Sequence, residues 1–171
     1  MEKLILLLLI VFSISSCVTK SNQITKSKNY TTCPTDGTCS AQIIVDTRAL
    51  IKKDEYGNSY EHLTKDTNYV LLKYAYDRNQ LNGVADSHYH EIIYLSIPKD
   101  VKRIALIGQS MKQVELIYGR LCNCRNTTGY YYVNKGKVEV VKTDLGYDAL
   151  LDIEVNNIPN VITELSIPFE F

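Results

Sequence analysis

From Ser40 to the C-terminus the apolar residues recur mostly at every second position, in short runs broken by turn residues. Two is the period of a strand, because successive side chains leave opposite faces of the backbone. Ala41 to Val45 reads as a strand, and Leu50-Ile51 opens another. Asp54 to Asn58 is a turn cluster around Gly57. Asn68 to Tyr76 sets Val70, Leu72, Tyr74 and Tyr76 on one face and Tyr69, Leu71, Lys73 and Ala75 on the other. Both faces are largely apolar, which predicts a central strand. Asp77 to Asp86 is a polar loop with Asn82-Gly83, and Tyr89 to Ile97 is a strand ended by Pro98. Val101 to Ile107 continues the pattern until Gly108. Met111 to Leu121 fits a helical stripe and a strand alike, and Val114 and Ile117 favour the strand because they are β-branched. Asn134-Lys135-Gly136 reads as a three-residue hairpin loop between Tyr130–Val133 and Lys137–Thr143. Asn156 to Asn160 is a turn between two further strands. About eight or nine antiparallel strands at this spacing predict an all-β, sandwich-like single domain.

Composition agrees. Thirteen Tyr, three Phe, no Trp and four Pro suit a pleated, half-buried surface. Most of these tyrosines are expected on sheet faces with their hydroxyls in water, rather than gathered into a dedicated recognition surface. The formal net charge is zero. A nucleic-acid binder needs a basic face or a high pI, so that class is excluded.

The N-terminus has a different character. Met1-Glu2-Lys3 is charged, Leu4 to Phe12 is unbroken apolar sequence, and Ile14-Ser15-Ser16-Cys17 follows. That order is a secretory signal, and the apolar run is shorter than the ~20 residues a membrane-spanning helix needs. The tetrad Ile14-Ser15-Ser16-Cys17 resembles the lipobox of bacterial lipoproteins. The resemblance implies removal of residues 1–16, acylation of Cys17 and a mature chain that begins there. Val18, rather than Asp, after the cysteine resembles an outer-membrane sorting signal, and leaves the side of the membrane open. Residues 18–32 are polar and read as a flexible tether. The expected organisation is a signal peptide over 1–16, a lipidated N-terminus and tether over 17–32, and a β-rich domain over 33–171.

With Cys17 given to the lipid, Cys33, Cys39, Cys122 and Cys124 remain. An even number in an exported chain points to disulfides, and four cysteines allow three pairings. Cys33 and Cys39 flank the turn sequence Pro34-Thr35-Asp36-Gly37 and can pair with each other. Cys122 and Cys124, on one face of a strand, would sit about 6.5 Å apart and close a tiny ring. That favours lacing the first loop across to the second pair, where a long closed loop stabilises most. The spacings C-x5-C and C-x-C depart from the C-x2-4-C pairs of structural zinc sites.

Chemistry-bearing groups are few. His88 and His90 share a strand face, and Asp86 precedes them. Two imidazoles so placed would hold Zn or Cu if Asp86, Glu91 or His62 added a ligand. There is no G-x-S-x-G elbow, and Ser110 lies two before Lys112 rather than three. No cofactor is expected. The expected function is that of a membrane-anchored envelope lipoprotein acting as a binding or structural module without catalysis. Its expected partners are the membrane, through the lipid at Cys17, and an envelope protein. Two alternatives stand beside it. One is an inhibitor of an envelope hydrolase presenting the Cys33–Cys39 loop or Asn123–Gly129. The other is a metal protein using His88 and His90.

Overall fold

A computed structural model describes residue 31 and residues 33–171. Cys17 and most of the tether lie outside the described residues. Among the described residues nine strands form two antiparallel sheets. The larger sheet runs β1 (Gly37–Lys53), β2 (Ser59–Arg78), β3 (Tyr89–Pro98), β5 (Glu115–Cys122) and β6 (Gly129–Tyr132). The smaller runs β4 (Arg103–Ile107), β7 (Lys135–Lys142), β8 (Gly146–Glu154) and β9 (Glu164–Glu170). The sheets pack face to face as the all-β sandwich expected.

Leu72, Ile93, Leu95 and Leu116 of the larger sheet meet Val138, Leu151 and Leu165 of the smaller in one core. Each fully buried aliphatic side chain contributes roughly 1.5–3 kcal/mol. Tyrosine fills much of this core: Tyr74, Tyr76, Tyr118 and Tyr147 are all buried. That corrects the expectation of tyrosines lying on wet faces. Without tryptophan, tyrosine is the largest side chain the chain has to fill the space between its sheets.

β1 is one strand where the sequence suggests two. A bulge between Val45 and Thr47 sets Asp46, at φ 56°, against residues 66–69 of β2. The extra length on β2 bends the hairpin. The bulge also shifts the face parity: Ile44 before it and Ala49 and Ile51 after it turn to the same side. Broken alternation of this kind reads as a strand boundary in the sequence. Beyond the bend, Thr47–Lys65 folds back as an arm across the outer face of the larger sheet. There it covers a second, smaller core of Ala49, Leu71, Ile92, Tyr94, Ile117 and Tyr130. Double coverage explains why β3 is buried along nearly its whole length.

Three further readings change. Asn134-Lys135-Gly136 is no hairpin loop, because β6 pairs with β5 while β7 pairs with β4 and β8, so the chain crosses between sheets there. Gly136 is needed for a different reason: at φ 106° its Cβ would fall 2.1 Å from the Asp152 carbonyl oxygen. Gly108–Gln113 is a short 3-10 helix that drives Met111 into the core, and the strand starts only at Glu115. The lacing of the cysteines is also replaced. Cys33 pairs with Cys39 and Cys122 with Cys124, at Cα separations of 5.7 and 5.1 Å. β5 ends at Cys122 and the chain bends at Asn123, so the second pair is closer than on an extended strand.

Candidate functional site

Gly37, Arg78, Tyr89, Cys122 and Gly129 are strand termini that all fall at one end of the larger sheet. Three loops emerge there, over residues 33–36, 79–88 and 123–128. The first is closed by Cys33–Cys39 and the third begins inside the Cys122–Cys124 ring.

A continuous chain of side chains joins the two disulfide loops. Asp36 accepts a hydrogen bond from the Tyr76 hydroxyl at 2.7 Å and pairs with Arg78 Nε at 3.1 Å. The Arg78 guanidinium lies 4.4 Å from the centre of the Tyr89 ring, and that of Arg120 lies 5.3 Å from it. Tyr89 is thus held by two cations, an arrangement worth roughly 0.5–1 kcal/mol per contact at exposed sites and more when desolvated. Arg120 donates onward to the Thr127 hydroxyl, and the Thr128 hydroxyl donates to the Arg120 carbonyl at 3.1 Å. The Asn79 amide donates to the Asp36 carbonyl at 2.8 Å, tying the middle loop to the first. The Tyr76 hydroxyl bond, aided by Arg78, holds the Asp36 carboxyl below its usual range. Burial pushes the phenols of Tyr76 and Tyr89 up, so both stay neutral donors.

Just inside this end, Glu91 is buried at 1% exposure. It accepts from the Val161 and Ile162 amides at 2.7 and 2.9 Å and from the Tyr89 hydroxyl. One carboxylate thereby fastens the β8–β9 connection of the smaller sheet to the larger. A buried charge is tolerated when its lone pairs are filled in this way.

The predicted metal ligands do not assemble. His88 precedes β3 and His90 lies on it, and their rings stack with centroids 6.3 Å apart. His90 Nδ1 meets Asp77 across the β2–β3 pair. Glu91 faces the opposite side of the strand from His90. Asp86 sits exposed in the loop at φ 59°, and His62 lies on the arm opposite Leu50. Among the described residues no three His, Cys, Asp or Glu side chains gather to hold a metal ion.

Both loops singled out for an inhibitor, Cys33–Cys39 and Asn123–Gly129, lie at this one end. Sequence reasoning missed what joins them. Glu91, within an apolar strand where a charge needs dedicated partners, signals only the tie to the β8–β9 connection. Arg78 and Arg120 lie far from each other in sequence and carry no such sign. Thr31, within the segment read as the tether, exchanges 2.7 Å hydrogen bonds with Ser166 on the edge of β9. No protein-family model, no curated protein and no solved structure matches the chain.

Proposed function

We propose that this chain is a lipid-anchored protein of the bacterial envelope that acts as a binding module without catalysis of its own, presenting the disulfide-closed end of its larger sheet. The observation that carries this reading is the joined pair of loops: two disulfides and the run Asp36–Arg78–Tyr89–Arg120–Thr127 hold them as one surface. A preorganised surface loses little conformational entropy on binding, which favours recognition. The lipobox-like tetrad supports anchoring at Cys17, with outer-membrane placement. Burial of acyl CH2 groups contributes ~0.8 kcal/mol each. Within this reading, inhibition of an envelope hydrolase is the more specific version, favoured because both candidate loops share one end.

Site-specific photo-crosslinking in cells tests the proposal. Crosslinkers go at exposed Thr35 and Asn126 on the loop end, and at exposed Lys102 beyond the opposite end of β3. One dominant protein adduct from Thr35 and Asn126, absent from Lys102, is expected. Adducts from Lys102 alone, or from none of the three, contradict it. In parallel, Cys17→Ala is expected to lose the acyl mass and membrane retention; a retained variant overturns the anchoring.

A further inference from the structure

A second concave surface lies away from the loop end. A cleft of about 450 Å³ runs between the arm tip, the free edge of β6 and the end of β8, within the roughly 300–1,000 Å³ of small-molecule sites. Its floor carries Tyr132, which is 51% exposed. Around it stand Lys53, Ser59, Asn134, Glu154 and Asn156.

Two strand edges face this cleft, which at first suggests docking of an extended peptide. Two of their outward donors, however, are already used. The Val133 amide bonds the Leu116 carbonyl at 2.9 Å, which turns the backbone amides of Tyr130 and Tyr132 outward from the β5–β6 ladder. The Tyr130 amide then donates to Ser59 Oγ at 2.8 Å, and the Ile51 amide donates to the Tyr132 hydroxyl at 3.2 Å. Strand addition would have to break these bonds. Side chains supply further groups. Lys53, Asn134 and Asn156 have no side-chain partner among the described residues, and Glu154 only a 3.6 Å pairing with Lys135.

An exposed aromatic ring bordered by two amides, an ammonium and a carboxylate matches a sugar. A pyranose offers an apolar C–H face to the ring and a rim of hydroxyls that both donate and accept. Amides do the same from one planar group. The lining carries one cation, Lys53, and one anion, Glu154, so no cluster of one sign selects a charged ligand. We propose that this cleft binds a neutral oligosaccharide, stacked on Tyr132 and hydrogen-bonded by Asn134 and Asn156. This site is separate from the loop end, so either proposal can fail alone.

The test is titration of the full chain in detergent with two neutral probes, a tetramer of N-acetylglucosamine and a tetramer of glucose, followed by NMR and calorimetry. Half-saturation below about 1 mM by at least one tetramer is expected. Tyr132→Ala should weaken it about tenfold. Because that change also removes the Ile51 amide's acceptor, Asn134→Ala with Asn156→Ala serves as the second variant. Both asparagines are exposed, and the pair should cost about five- to tenfold. No binding of either tetramer overturns the proposal. So does binding unchanged in the double asparagine variant. Occupation of the cleft by a short Val-Thr repeat peptide, with no effect of sugars, would assign it to strand addition instead and equally overturns it.

Discussion

The loop end and the folded-back arm fasten chain to the same sheet by opposite means. The loop end uses two disulfides and a run of charged and aromatic contacts. The arm uses a small apolar core, an Arg48–Glu115 pair, and hydroxyls that accept backbone amides, as Ser96 does from Ala49 at 3.0 Å. Covalent closure restrains the loops whatever the rest of the domain does. The arm's ties all depend on one packed interface, so they are expected to be lost together. A rigid end and a releasable cover are therefore expected on one sheet.

The largest expected effect is on the arm. Tyr130 is buried beneath it, and Tyr130→Ala should cost about 3–5 kcal/mol, measured as a lower urea midpoint. The loop-end disulfides should stay intact. Next comes the Cys33→Ala, Cys39→Ala pair. Its closed loop is short, so the loss should be about 2 kcal/mol. A loss as large as that for Tyr130→Ala would show that the loop end governs global stability and would invert the comparison. Arg48→Ala should cost about 1 kcal/mol, since the Arg48 and Glu115 side chains are 34% and 20% exposed. Its main sign should be faster amide exchange at Ala49 and Ile51, with Asn79 unchanged.

How far the sequence foretold this contrast depends on the region. The alternation in Asn68–Tyr76 and Tyr89–Ile97 reads directly as strands, because residues buried on both faces leave a plain pattern. The arm was hidden, because the bulge at Asp46 resets face parity within one strand. The loops were legible through Cys33, Cys39 and the Pro-Thr-Asp-Gly turn. Their joining was not, since Asp36, Arg78, Tyr89, Arg120 and Thr127 meet only when four strands are aligned. The crossover after β6 is not legible, because Gly136 answers to the Asp152 carbonyl rather than to a hairpin turn.

The smallest effect concerns pH. Asp36 is held below the ordinary carboxylate pKa, ~3.9, by the Tyr76 hydroxyl and Arg78. A group depressed on folding contributes its stability fully above that ordinary value and loses it as pH falls through the folded pKa. Tyr76 and Asn79 signals in NMR should therefore shift only below about pH 4, and Asp36→Asn should abolish the shift. A transition near neutrality would contradict this.

Native-state hydrogen exchange on the full chain tests the contrast most directly. The account predicts that the β1 amides between Cys39 and Val45 that bond β2, the Asn79 amide and the β5 amides at 118–121 open only with global unfolding. It predicts that Ala49, Ile51 and Tyr130 open together at lower free energy. Rapid exchange at Asn79 and 118–121 with a fully protected arm would contradict it, and would remove the rigid surface on which the proposed recognition depends.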